Sequence, residues 1–260
     1  MSRCWLTGAG SGIGAALAEV LLDQGHKVAL GARTAESVEA LKAQHPRQTL
    51  LALGDITDRQ QVEAIVEDIS EQWGALDLVI LNAGTCEYLE PGQFDSDTVE
   101  RVMRTNLLGT SQCLQAALPL LRRGQRPHLV VVASSVAWLA LPRAAAYGAS
   151  KAAVKLFSEG LRSELLDTNV RVSVVFPGAI ATNITVNSGV ATPQEATARD
   201  SAKFKTLSAA KAAEIIIDGM EKNKYHILVG QDAKMMDFLS RVMPDRAAKI
   251  IFSQMRSLLG

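Results

Sequence analysis

A glycine run set directly behind a short apolar segment, Thr7-Gly8-Ala9-Gly10-Ser11-Gly12-Ile13-Gly14, constrains this chain more than any other feature. Residues 3–6 before it read as a strand, and residues 13–24 after it carry helical periodicity. A strand that turns on glycines into a helix points the unpaired N–H groups and the positive dipole end of that helix at one place. That place suits an anion such as a pyrophosphate. Gly8, Ser11, Gly12, Ile13 and Gly14 are therefore the candidate phosphate-binding residues.

The rest of the chain repeats the alternation that such a unit needs. Further strands are expected at 27–31, 49–53, 76–81, 128–133, 170–176 and 226–229, many of them apolar at consecutive positions. Continuous apolar runs belong to strands covered on both faces. Helical patterns fall between them at 35–44, 58–73, 97–121, 150–167 and 208–223, with Thr57 or Asp58 as the cap of the third and Gly25 closing the first. The expected fold is an α/β, doubly wound, Rossmann-type parallel sheet of about seven strands with helices on both faces. No linker or repeat divides it, so residues 1–260 read as a single domain. A polar stretch at 183–206 is expected to form a substrate loop, since loops of that length in compact domains are usually functional.

Charge and cysteine content narrow the function classes. With 27 basic and 27 acidic residues the net charge is zero, which supplies no field for nucleic acid. Cys4, Cys86 and Cys113 are scattered and odd in number, and the four histidines form no metal-binding pattern, so no metal site is expected. The thiols read as buried and inert, in keeping with a cytoplasmic protein. The glycine run follows Met1 too closely for a secretory leader, and the uncharged run at 127–142 is too short to span a bilayer. A soluble protein is expected.

Two further features carry chemistry. Arg33 closes the second strand, in the region where an NAD-type site wants a carboxylate for the ribose 2′-hydroxyl. A guanidinium there, beside Ala32, suits a 2′-phosphate and favours NADP(H) over NAD(H). Tyr147 and Lys151 stand four apart, so on a helix they share a face.

Together with Asp55-Ile56, Asn82-Ala83-Gly84, Asn106, Ser134-Ser135 and Pro177-Gly178 followed by Thr182, these motifs make the chain resemble the classical short-chain dehydrogenase/reductase family from residue 3 to about 229. The resemblance implies an NAD(P)-dependent oxidoreductase that interconverts a carbonyl and an alcohol on a small-molecule substrate. Tyr147 would be the general acid/base, and Lys151 would lower its pKa and hold the nicotinamide ribose. Asn106 would keep a water in a proton relay. Asp55 and Ile56 would meet the adenine, and Asn82, Ala83 and Gly84 would run beside the cofactor. Pro177, Gly178, Ile180 and Thr182 would surround the nicotinamide. The family's usual spacing of 13 residues before the tyrosine points to Ser134 as the catalytic serine. The match of the strand end points to Ser135. Neighbouring strand residues face opposite sides, so only one should reach the site, and because loops tolerate deletions better than strands, Ser135 with a following loop one residue short is the expectation.

Substrate walls are expected from 183–206, 86–94 and 138–143. The family's habit of pairing through the helices at 97–121 and 150–167 implies a homodimer or homotetramer. A non-catalytic NADP(H)-binding regulator or scaffold of the same fold is the alternative function, and an extended-branch epimerase or dehydratase is a third. The chain lacks the larger C-terminal substrate domain of that branch. Ser208-Ala209-Ala210-Lys211 fits an acylase pattern by coincidence, without its companion motifs. The tail at 233–259 is amphipathic, with Met235, Met236, Leu239, Val242 and Met243 at helical spacing, as are Ile250, Ile251, Met255, Leu258 and Leu259 after Pro244. It reads as packing on its own protein or a partner subunit, with a lid over an apolar substrate or an interfacial membrane helix as the alternatives.

Overall fold

The computed structural model describes residues 1–89, 94–139, 141–182, 184 and 206–255. Strand β1 (Arg3–Thr7) leads through the glycine turn into α1 (Gly12–Asp23) and β2 (Lys27–Ala32). Then follow α2 (Glu39–Gln44), β3 (Thr49–Leu53), α3 (Arg59–Trp73) and β4 (Leu78–Leu81). The second half holds α4 (Ser96–Met103), a π-helical segment (Arg104–Gly109), α5 (Thr110–Arg122), β5 (His128–Val132), α6 (Ala145–Glu164) and β6 (Arg171–Pro177). After β7 (Ile180–Ala181) and β8 (Leu207–Ser208) come α7 (Ala209–Glu221), β9 (His226–Val229), α8 (Gln231–Val242) and α9 (Pro244–Met255).

Seven strands pair in parallel in the order β3-β2-β1-β4-β5-β6-β9. Their apolar runs are buried on both faces: all of β4 and β5 is buried, and Val174, Val175 and Phe176 of β6 are fully so. One core packs α3, α5 and α6 against the sheet and another packs α1 and α7 on the opposite face. This is the doubly wound, single-domain α/β fold expected from the alternation. The order reverses between β1 and β4, and a crevice opens at the carboxyl ends of strands flanking such a reversal. Thr7 Oγ1 joins the two strands there, accepting from the Asn82 and Ala83 amides at 3.0 and 3.1 Å.

Local chemistry explains the boundaries. Asp58 caps α3 by accepting from the Gln60 and Gln61 amides, and Gly25 takes the left-handed conformation just beyond α1. The expected strand at 76–81 runs from Leu78, although the Asp77 backbone already bonds to Arg3 and His128 on either side, and the Asp77 carboxylate ties the same three segments together. It accepts from the Arg3 amide, the Arg3 guanidinium and the Gln125 amide. Burial opposes its ionisation, yet those donors hold its pKa at about 2.

Four expectations need correction. The helix expected at 97–121 is interrupted by the π-helical turn, and the one expected at 150–167 begins at Ala145, so Tyr147 lies inside its first turn. The helix expected at 35–44 forms only over Glu39–Gln44. The helical tail expected at 233–259 begins earlier, at Gln231, and parts into two helices at Pro244, where its two apolar stripes divide; residues 256–259 lie outside the described residues. The expected substrate loop at 183–206 also lies outside them, apart from residues 184 and 206. At its base β7 and β8 pair in parallel.

At the opposite end of the sheet His128 is buried, with Nε2 2.9 Å from Ser173 Oγ. Ser173 Oγ donates to the Lys224 carbonyl at 2.6 Å, so the imidazole must donate to Ser173. Burial, with a smaller push from Arg171, lowers its pKa to about 4. The unfolded chain, near 6.5, then binds the proton first as pH falls, so stability is full above about pH 6.5 and drains away toward pH 4. The loss attributable to His128 is on the order of 2 kcal/mol at pH 5. Urea unfolding at pH 7 and pH 5 should show it, and His128→Gln should unfold with a pH dependence smaller by about that amount.

Candidate active site

The glycine turn is built by close backbone approach. A Cβ on Gly14 would collide with the Gly8 carbonyl, and Gly8 itself adopts a φ of 71°. Asn82 Nδ2 donates to the Thr7 and Gly8 carbonyls, both at 3.2 Å, and so ties the turn to the end of β4. Gly14 and Asn82 thus stand behind the loop and shape it.

In front of it lies a cleft of about 600 Å³. Gly8, Gly10 and Ser11 form one wall, Arg33 with Thr34 and Ser37 a second, Asp55 and Ile56 a third, and Ala83 and Gly84 the floor. Arg33 is exposed and has no ion pair among the described residues. One Asp55 carboxylate oxygen accepts from both the amide and the hydroxyl of Thr57 at 2.8 Å, which fixes the turn into α3. Gly12 faces Thr182, whose methyl would lie 3.1 Å from a Cβ there. The end of β6 and the following residues thereby close over the start of α1, bringing Pro177, Gly178, Ile180 and Thr182 toward the glycine loop.

Beyond Gly84 the cleft meets the candidate catalytic residues. Lys151 is 4% exposed, and its Nζ donates to the Val132 carbonyl at 3.0 Å. Its ammonium sits 5.9 Å from the centre of the Tyr147 ring. Burial pulls the lysine pKa down to about 8, partly offset by the nearby Cys86. Burial also pushes the Tyr147 phenol well above its ordinary value, with Cys86 and Tyr88 adding to the rise. The Ser134 side chain opposes that rise by hydrogen bonding to the phenol.

The Ser134 side chain is the one that acts on the Tyr147 phenol, while the expected Ser135 lies in the turn that follows. Strand β5 ends at Val132, so strict alternation no longer governs residues 134 and 135. Ser134 is extended and caps a single 3₁₀ turn (Ser135–Ala137), accepting weakly from the Val136 amide at 3.4 Å. Ser135 is buried within that turn.

Asn106 sits in the π-helical turn, 1% exposed. Its Oδ1 accepts from the Thr85 amide at 2.7 Å, and its Nδ2 donates to the Thr85 carbonyl and to Ser150 Oγ, both at 2.9 Å. Ser150 Oγ in turn donates to the Tyr147 carbonyl at 2.8 Å. The carboxamide thus braces the β4 end against the first turn of α6.

Three further residues take part: Cys86 and Tyr88, expected only as members of the substrate wall at 86–94, and Asp232, which carried no signal in the sequence. Cys86, read as an inert thiol, is buried with its thiol pKa raised to about 11 by burial, and it lies within electrostatic reach of both Tyr147 and Lys151. Tyr88 hydrogen-bonds it. Asp232, at the start of α8, fills the space beside Gly178, where a Cβ would strike its carboxylate, and it accepts from the Ala179 amide.

A family model, described as short chain dehydrogenase, matches residues 3–192. An uncharacterized oxidoreductase of Staphylococcus aureus (strain MW2) is 33% identical over 181 residues, 69% of this chain and 78% of that one. The SadH protein of Mycobacterium tuberculosis (strain H37Rv) is 31% identical over 258 residues, covering 95% of this chain and 92% of its own. Among solved structures, a short chain dehydrogenase from Burkholderia cenocepacia J2315 in complex with NADP superposes with a TM-score of 0.80 at 26% identity. That match covers 96% of this chain and 97% of the other. Fold and site together define an NAD(P)-dependent oxidoreductase. The chain belongs to the short-chain dehydrogenase family.

Replacing Asn106 with Leu strands the Thr85 backbone groups and the Ser150 hydroxyl in a buried site. The expected cost is about 2–4 kcal/mol, given what unsatisfied buried groups typically lose. Chemical denaturation of the two proteins measures it, and a change below about 1 kcal/mol would show that the brace is not needed.

Proposed function

We propose that this protein is an NADP(H)-preferring oxidoreductase that interconverts a small-molecule carbonyl and the corresponding alcohol, with Tyr147 moving the proton. The observation that carries this reading is the placement of buried Lys151 beside Tyr147 and against Gly84, which lines the dinucleotide-sized cleft. When bound, the nicotinamide cofactor supplies or accepts the hydride at the substrate carbon.

The glycine turn and the floor at Ala83 and Gly84 line the cleft that would hold the nucleotide. With its pKa raised by burial, Tyr147 is a neutral phenol at ordinary pH and is suited to donate to a carbonyl oxygen as that oxygen gains negative charge. Ser134 would hold the same oxygen. The Lys151 ammonium, close to the ring, would stabilise the phenolate left behind. The Asn106 carboxamide is fully engaged, so a water kept for a relay to Lys151 would be held by its main-chain carbonyl.

Arg33 supports the NADP preference: an exposed guanidinium on the cleft wall offers donors to a 2′-phosphate. The NADP-bound Burkholderia neighbour is in keeping with this. No helix among the described residues is long and apolar enough to cross a membrane, which accords with a cytoplasmic setting. Exposed Val99, Leu108, Leu156 and Phe157 on α4, the π-helical turn and α6 support a homodimer or homotetramer through that face.

Tyr147→Phe should retain cofactor binding and lose about 10²- to 10⁴-fold in turnover, the usual range for a lost acid/base group. In the same assay Ser134→Ala should impair reduction far more than Ser135→Ala. Near wild-type turnover by the Phe variant, on a verified aldehyde or ketone, would refute the mechanism.

Arg33→Ala should weaken NADPH by roughly 10- to 150-fold and leave NADH nearly unchanged, as expected for one hydrogen bond to a charged group. Fluorescence titration of both cofactors against both proteins reads this directly. Equal wild-type affinities would remove the preference.

A further inference from the structure

Ser134 is held only loosely by its immediate neighbours. Its Oγ accepts from the Val136 amide at 3.4 Å and donates to the Pro177 carbonyl at 3.5 Å, both long for hydrogen bonds. Bonds that weak leave the position of the hydroxyl to the turn that carries it. That turn is short and closed by its own backbone. The Ala137 amide donates to the Ser134 carbonyl at 3.0 Å, and the Trp138 amide donates to the Ser135 carbonyl at 3.3 Å. Ser134 caps one end of the turn and Trp138 closes the other, so whatever fixes Trp138 also fixes Ser134.

Trp138 is fixed by a stack of rings. Its half-buried indole lies on the Phe176 ring, with centroids 4.2 Å apart and planes 25° from parallel. Phe176 is fully buried in β6 and immediately precedes Pro177, whose carbonyl faces Ser134. The His226 imidazole of β9 meets Phe176 edge-on at 5.0 Å, and its Nε2 donates to Glu159 Oε1 at 3.0 Å. Glu159 stands on α6, the helix that carries Tyr147 and Lys151, and its other oxygen accepts from Lys155 at 2.8 Å. A continuous run of contacts thus leads from the serine turn, through β6 and β9, back to the helix of the tyrosine.

Resting on the reading that Ser134 and Tyr147 act on one substrate oxygen, we infer that Trp138 is a positioning residue for Ser134. Stacked on Phe176, it sets where the serine hydroxyl stands relative to the Tyr147 phenol and takes no part in the reaction itself. Offset stacking fixes the orientation of two rings as well as their separation, which an aliphatic side chain does not. A displacement on the order of 1 Å at a reacting group can cost about 10²-fold in rate, so a modest shift of the turn is enough to be read.

The test is a double-mutant cycle on an aldehyde or ketone that the wild type reduces with NADPH. Trp138→Leu should lower kcat by about 10- to 100-fold and leave KM for NADPH and for the carbonyl substrate within about twofold. Trp138→Phe, which can still stack on Phe176, should keep kcat within about threefold of the wild type. On a Ser134→Ala background, Trp138→Leu should cost less than about twofold more, because a residue that acts through Ser134 then has nothing left to position. Urea unfolding verifies that each variant is folded. Trp138→Met, flexible and unable to stack, enters the same cycle if the Leu variant does not fold.

Losses that multiply in the double variant overturn the inference, since a purely structural role would add to the loss of Ser134. A loss carried by KM for the carbonyl substrate also overturns it, by placing Trp138 against the substrate. So does a Phe variant as impaired as the Leu variant. Each of these outcomes leaves the reaction class standing. A wild type that reduces no carbonyl compound refutes the reaction class itself, and this inference falls with it.

Discussion

An ammonium group withdrawn from water is costly, and the arrangement of this protein's catalytic end follows from where that cost is met. Lys151 is almost completely buried, and among the described residues no carboxylate pairs with it. A buried charge persists only when hydrogen bonds replace its hydration. Here the end of β5 supplies the Val132 carbonyl, and Gly84 at the end of β4 leaves the space in which the nitrogen sits, 3.3 Å from where a Cβ would stand. That same Cβ would press on Asn106 at 3.0 Å. Two strand ends, the π-helical turn and α6 are thus fixed around one nitrogen. Its uncompensated positive potential is felt by whatever oxygen lies beside it.

The two ends of the cleft solve opposite problems. At the phosphate end the backbone itself is the ligand-binding surface, so side chains are excluded, and Gly8, Gly14 and Asn82 keep strand, turn and helix in contact. At the proposed catalytic end side chains line the site, and they are fixed by contacts from distant parts of the chain. Asn106 reaches Ser150, Ser134 reaches Tyr147, and Asp232 reaches Ala179. The sheet is what permits this division, because strand reversal between β1 and β4 brings both ends to one edge.

What could be read from residues alone followed from local physics. Continuous apolar runs marked the buried strands, and glycines marked the one turn where backbone must approach backbone. The failures occurred where a local rule was carried past its domain. Strand alternation cannot choose between Ser134 and Ser135, because β5 ends at Val132. The apolar periodicity of 97–121 runs unbroken through a turn whose backbone widens. The early start of α6 went unseen because Ala144 offers no side-chain cap. Cys86 and Asp232 owe their places to contacts across long sequence distance, to Tyr147 and Lys151 in one case and to Ala179 in the other. No short-range pattern encodes those.

The π-helical turn at Arg104–Gly109 acts as a vernier between two helices that would otherwise be one. Each residue of an α-helix advances the face by about 100°, so a turn holding an extra residue rotates everything beyond it by that angle. Upstream, α4 is thereby free to lie against α6, while downstream α5 turns its stripe toward α3 and β4. A single residue lost within this turn would straighten the rod and leave its two halves disagreeing about which way is inward. One lost from the tip of a surface loop would pass almost unnoticed. The chain is therefore least tolerant of a change in length at the point where its longest helical run looks most uniform.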